Sequence, residues 1–158
     1  MATHYQGSEQ EKRALNAFIT LSRAASALAA KLGEGLAEHA LTPSQFGILE
    51  TLLHLGPLCQ KELARKLLLS GGNVTLVVDN LEKRALVTRQ RSTIDRRLVT
   101  VALTPGGHKL IAAAFPRHLA TLVAQFQILS PAEQETLRRL CRTLGKQSKT
   151  PTSRRSHG

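Results

Sequence analysis

Two short runs in this chain carry side chains suited to gripping a polyanion. Ser70-Gly71-Gly72-Asn73 combines a helix-capping hydroxyl with two residues that lack a Cβ. A helix N-terminus favours phosphate charge, and bare backbone lets phosphate come close. Asn73 can bond an adenine edge, while Thr75 and Leu76 just beyond it can meet a thymine methyl. Farther along, Asp95, Arg96 and Arg97 sit between two β-rich stretches. Guanidinium groups at a hairpin tip suit a minor groove, where the potential is most negative over A·T-rich tracts. Asp95 repels phosphate, so its expected role is to hold the Arg97 guanidinium by paired hydrogen bonds and aim it. A plainer reading makes Ser70 and Asn73 mere caps and the arginines a solvated turn. For Ser70 and Asn73, the basic hairpin that follows at the correct distance favours the binding reading.

The charge distribution agrees. The net charge of +11 is segregated: residues 1–58 carry −1, residues 59–100 carry +5, residues 101–137 are neutral and residues 138–158 carry +7. A basic excess confined to one module is the footprint of a polyanion binder, and solubility alone does not require it. Lys61, Arg65, Lys66, Lys83, Arg84, Arg89 and Arg91 are candidate phosphate contacts, which position a protein without specifying sequence; some of them are simply solvated surface. No H-E-x-x-H, G-x-S-x-G, Walker loop or Cys/His metal spacing occurs, so neither an enzyme nor a cofactor is expected. Two cysteines, Cys59 and Cys141, suit a reducing compartment. No apolar run approaches the ~20 residues that span a bilayer and no signal-peptide core is visible, so a cytoplasmic protein without membrane contact is expected.

The elements that must position these residues follow from periodicity. Residues 1–7 are expected to be disordered. A first helix from about Ser8 to His39 carries Leu15, Phe18, Ile19, Leu28, Leu32 and Leu36 at spacings of three and four, and needs a partner for that face. Thr42-Pro43 starts a second helix, ended by Gly56-Pro57. Gln60 to Leu67 makes a third, Leu68 to Ser70 a turn, and a fourth helix ends near Arg84 with Val74, Val77, Val78 and Leu81 inward. Its opposite face shows Gly72, Asn73, Thr75, Leu76 and Asp79. Leu86 to Arg91 and Leu98 to Leu103 read as a two-stranded hairpin. Thr104-Pro105 starts a fifth helix running to about Leu129, and Ser130-Pro131-Ala132-Glu133 is a capping box for a sixth. The fold class is mainly α with a small β-hairpin: a single domain over 8–146, in which 43–103 form a winged helix-turn-helix, followed by a basic disordered tail at 147–158.

The runs LTPSQFGILETL, QKELARKLLLSGGNVTLVVDNLEKRALVTR and DRRLVTVALTPGG, in that order, resemble the MarR (multiple antibiotic resistance regulator) family over roughly residues 10–146. The resemblance implies a homodimer built from helices at about 8–39 and 105–146. It also implies double-stranded DNA with an inverted-repeat operator as partner, and repression relieved by a small molecule or by oxidation. Where the family usually has glycine as a left-handed cap after LEKR, this chain has Ala85, which either tolerates that conformation or ends the helix differently. LLLSGGNVTLVVDNLEKR is also similar to the branch that responds to quinones and catechols, and no ligand is assigned from it. Family ligands tend to lie where the dimer helices meet the DNA-reading lobe. His39, Phe46, His54 and Phe115 are the candidates near that junction, although a histidine near a core is more often structural. The expected function is a sequence-specific regulator released by an aromatic or phenolic ligand. The alternatives are a thiol switch at Cys59, which starts the third helix, or a non-specific architectural DNA binder.

Overall fold

A computed structural model of the chain describes residues 4–147. Residues 1–3 of the stretch expected to be disordered, and 148–158 of the basic tail, lie outside the described residues. The element order is α1 (Glu9–Ala37), α2 (Pro43–Leu55), β1 (Leu58–Cys59), α3 (Gln60–Leu67), α4 (Gly71–Lys83), β2 (Val87–Arg91), β3 (Val99–Leu103), α5 (Pro105–Phe126) and α6 (Pro131–Gln147). The chain divides into two compact units at Thr121/Leu122. No helix of the described residues is long and apolar enough to cross a membrane.

Helix starts are capped by hydroxyls, as the sequence predicts at Thr42, Ser70 and Ser130, and Ser8 does the same for α1. The Ser8 and Thr42 hydroxyls accept from the backbone N–H of Glu11 and Gln45, and those side chains reach back to the caps. Ser70 accepts from the Asn73 N–H at 3.2 Å. In the second unit Ser130 and Glu133 cap α6 reciprocally, and Gln134 Nε2 donates to the carbonyls of Phe126 and Leu129, closing the α5–α6 turn.

Helix ends show a device the sequence disguises. The C-termini of α1, α3 and α4 each turn through a left-handed residue that is not glycine: Ala40 (φ 51°), Leu68 (φ 54°) and Ala85 (φ 55°). In each, the following residue closes a bond back into the helix: Leu41 N–H to Leu36 O, Leu69 N–H to Ala64 O, and Leu86 N–H to Leu81 O. This is the Schellman arrangement. Ala85 thus keeps the left-handed geometry and carries the strain of its Cβ.

The hairpin is one part of a three-stranded antiparallel sheet of order β1-β3-β2. The expected two-stranded hairpin needs that correction: Leu58 pairs with Val101 and Cys59 with Thr100, so the residues before α3 pin the wing's base. β2 and β3 pair from Val87↔Leu103 to Arg91↔Val99. The core of the first unit joins α2, α3, α4, the sheet and α5 through Ile48, Leu49, Leu63, Val74, Val78, Leu81, Val87, Val101 and Ile111, all essentially inaccessible to solvent. Full burial of such side chains contributes roughly 1.5–3 kcal/mol each. The apolar stripe of α1 is different: Leu36 is buried, but Phe18 is 66% exposed.

One junction fixes the start of α5. Thr104 Oγ1 donates to the Ala85 carbonyl at 2.6 Å and accepts from the Gly107 N–H at 3.0 Å. A Cβ built on Gly107 would stand 1.8 Å from the Leu86 carbonyl oxygen, so only glycine fits there. Gly107→Ala is expected to destabilise the protein by about 3 kcal/mol, the upper range of overpacking, seen as a lower urea midpoint; an unchanged midpoint would show that the junction yields. Ala85→Gly is expected to act the other way, because glycine removes a left-handed penalty of roughly 1–2 kcal/mol and gives back part of it through chain entropy. The expected gain is about 0.5–1 kcal/mol, measured as a rise of several degrees in Tm.

Candidate nucleic-acid interface

The N-terminus of α4 is bare. Gly71, Gly72 and Asn73 are exposed, and no atom lies within 4 Å of a Cβ built on either glycine. The fold does not demand glycine there, yet each residue weakens the helix by up to ~1 kcal/mol relative to Ala. A backbone kept open at a helix N-terminus suits close approach of an anion. Among the described residues the Asn73 carboxamide has no hydrogen-bond partner, and Leu76 beside it is 70% exposed. The Thr75 hydroxyl is engaged: it donates to the Gly71 carbonyl at 3.0 Å and accepts from Gln60 Nε2 at 2.9 Å.

The wing tip is shaped by its serine and aspartate. Ser92 Oγ accepts from the N–H groups of Ile94 and Asp95, and Asp95 Oδ1 accepts from the Arg97 N–H at 3.0 Å. The expected paired hydrogen bonds from Asp95 to the Arg97 guanidinium do not form. One contact, from Nε to Oδ1, spans 3.5 Å, and the Arg97 side chain is 92% exposed. Asp95 makes its bonds to the turn, because the backbone N–H is nearer than the long, solvated fork. Arg96 is likewise exposed, and Ile94 next to it is 97% exposed.

The candidate phosphate contacts divide in two. Lys61, Arg65, Lys66, Lys83 and Arg91 are exposed. Arg84, also exposed, and half-buried Arg89 are instead bonded to other groups of the chain. Arg84 donates to the Ala40 carbonyl at 2.8 Å and to Gln45 Oε1 at 3.3 Å. Arg89, on β2, bonds three partners with three nitrogens: Gln60 Oε1 on α3, and the carboxylates of Asp79 and Glu82 on α4. Burial opposes its charged form, but the two carboxylates outweigh that and hold its pKa above the ordinary arginine value. Asp79 thus stands paired with Arg89.

Gln45 is the buried polar residue among the described core, and sequence reading missed it. Its amide donates to Asn80 Oδ1 at 2.7 Å, and its oxygen accepts from the Thr42 N–H and from Arg84. The Gln45–Asn80 bond ties α2 to α4, far apart in sequence, so no local pattern announces it.

The candidate effector residues scatter around the α1–α2–α5 region of the first unit. Phe46 stacks on His118, with ring centroids 4.2 Å apart. His54 meets Phe115 edge-on at 4.8 Å. His39 is half-buried, and its Nε2 has no partner. Two cavities of about 270 Å³ each share Leu32, Leu36 and His118 as lining. Phe46 lines one of them, and Glu38 and Arg117, ion-paired at 2.6 Å, line the other. His54, Phe115 and His39 line neither. His118, unanticipated from sequence, has a buried Nδ1 without a partner. Cys59 is half-buried at the N-cap of α3. Its N–H donates to Glu62 Oε2 at 3.1 Å, and hydrogen bonding at Cys59 holds that carboxyl below the ordinary carboxylate range.

A MarR family model matches residues 41–99. The chain is 33% identical over 138 residues to the HTH-type transcriptional regulator MhqR of Bacillus subtilis, spanning 87% of this chain and 95% of that one. Among solved structures, a probable transcriptional regulator from Pseudomonas aeruginosa matches with a TM-score of 0.72 at 32% identity, covering 80% of this chain and 94% of that one. BpsR of Bordetella bronchiseptica, whose DNA binding is regulated by 6-hydroxynicotinic acid, matches with a TM-score of 0.73 at 26% identity, covering 82% and 98%.

Gln45→Leu is expected to destabilise the fold by about 1–3 kcal/mol, because it leaves the bonds of Asn80 and Arg84 unmade next to a buried site. Urea denaturation measures this, and a midpoint equal to wild type would remove Gln45 from the scaffold of α4.

Proposed function

The chain belongs to the MarR family of transcriptional regulators, and on that premise we propose that it is a dimeric, sequence-specific DNA-binding repressor released by a small aromatic ligand. One observation carries the DNA reading above the others: the open N-terminus of α4, with the Asn73 carboxamide and the Leu76 side chain unengaged, occurs in the same unit as an arginine-tipped wing. α4 would enter the major groove from its N-terminal end and Arg96 and Arg97 the adjacent minor groove. The exposed cations Lys61, Arg65, Lys66, Lys83 and Arg91 would fix register on phosphates.

Dimerisation would cover the exposed apolar side chains of α1 in the first unit, and those of α6, Leu137, Leu140 and Leu144, in the second. A two-fold dimer would set its recognition helices about 34 Å apart on an inverted repeat. The ligand would enter the cavities beside Phe46 and His118, where an aromatic face and an unpartnered ring nitrogen offer stacking and one directional hydrogen bond. Regulation of BpsR by 6-hydroxynicotinic acid supports an aromatic effector of that size. As a cytoplasmic regulator the protein would do no chemistry of its own.

The purified chain, offered a random-sequence duplex pool, is expected to enrich an inverted repeat and to lose it as phenols, quinones or 6-hydroxynicotinic acid are added. Asn73→Ala is expected to weaken binding to the enriched site by about 1–3 kcal/mol, the value of a bidentate base contact. Equal retention of all sequences would replace this reading with non-specific DNA packaging.

A further inference from the structure

The DNA-facing helix carries two acids where a polyanion binder would be expected to have none. Asp79 and Glu82 lie one turn apart on α4, with side chains 45% and 41% exposed. Two bare carboxylates on that helix would be repelled by phosphate. Both bind the Arg89 guanidinium, which is itself only 25% exposed. The Arg89 backbone N–H also donates to Glu82 Oε1 at 3.1 Å, and its Nε is fixed by Gln60 on α3. Every nitrogen type of this side chain is therefore directed into the protein, and one cation spans the recognition helix, the helix before it and the wing.

We propose that Arg89 is a specificity-determining positioning residue that acts through Asp79 and Glu82. It masks the two carboxylates from DNA, and they in turn keep its charge off the phosphates. The consequence is two-sided. Free acids would weaken every complex, whereas a free arginine would strengthen every complex regardless of sequence. Locked together, the three groups lower non-specific attraction without blocking the groove, leaving Asn73, Leu76 and the wing tip to discriminate. Specificity is a difference of affinities, and suppressing the wrong complex widens it as surely as improving the right one. This inference rests on the DNA-binding reading above.

The test measures binding of the full chain to its enriched duplex and to a scrambled duplex across a salt series. In D79N/E82Q the charge of Arg89 is no longer neutralised. Binding to scrambled DNA is expected to rise at least threefold, and the log–log salt slope to steepen by about 0.9 per subunit, the increment for one added phosphate contact. In Arg89→Met the enriched duplex is expected to bind at least tenfold more weakly. The triple variant D79N/E82Q/R89M is expected to return to within threefold of wild type with the wild-type slope. A triple variant that binds no better than Arg89→Met, with a slope still flattened by about 0.9 per subunit, would place Arg89 on phosphate and overturn the proposal. Should Arg89→Met fail to fold by circular dichroism, D79N/E82Q decides alone, and an unchanged slope and scrambled-DNA affinity there overturn the proposal. A wild-type protein that prefers no sequence would instead defeat the functional reading itself.

Discussion

Where α4 ends, three elements are held by a handful of backbone atoms. The carbonyls of Ala85 and Leu86 leave the recognition helix through a left-handed turn. The Thr104 hydroxyl takes up the first carbonyl, the Thr104 N–H takes up the second, and Gly107 lies against Leu86 with no room for a side chain. Both ends of the wing and the start of α5 thus refer to the same few peptide groups. Backbone positions are less deformable than side chains, because buried peptide groups must remain bonded. A hairpin tip reaches DNA with useful accuracy only if its base cannot pivot. This junction and the short β1 pairing at Val101 and Thr100 provide that constraint from two sides.

On this rigid base the charges sort by what lies within reach. The segment 59–100 has a strong positive excess, but its cations are not equivalent. Arg84 and Arg89 satisfy carbonyl and carboxylate oxygens inside the chain, whereas Arg96, Arg97 and the surface lysines meet solvent. Arginine suits these two bonded positions because its planar fork serves several acceptors at once and holds its charge. A lysine at position 89 could not reach Gln60, Asp79 and Glu82 in separate directions. A composition count therefore overstates the attraction that this face exerts on phosphate.

How much was legible in the sequence depended on the range of the interaction. Helix starts at Thr42, Ser70 and Ser130 are readable because a cap acts over three residues, and the inward face of α4 because period sets it. Ala85, where the family usually has glycine, keeps the left-handed turn. β1 escaped notice because two residues carry no periodicity and exist as a strand only through their partners on β3. The Asp95–Arg97 fork failed for a local reason: the aspartate found the backbone N–H first. Gln45–Asn80, Arg89–Asp79 and Phe46–His118 could not be read at all, since each joins residues brought together by tertiary packing alone. The sequence could mark Arg89 as a cation and Asp79 as an acid, but not as each other's partner.

The Phe46–His118 stack has a mechanical implication that follows from its neighbours. Phe46 is buried on α2, one residue from Gln45, and Gln45 bonds Asn80 on the recognition helix. A ligand that displaced the imidazole from the phenyl ring would push on the same helical turn that holds Gln45. Close-packed interiors transmit such displacement rather than absorb it, and the Gln45 bonds also reach Arg84 and, through it, the Ala40 carbonyl at the end of α1. The cavity and the recognition helix are therefore separated by one turn of α2 and one amide. In the proposed complex a shift of the ring would reach α4 through that amide, and base-edge hydrogen bonds weaken steeply once their geometry is lost.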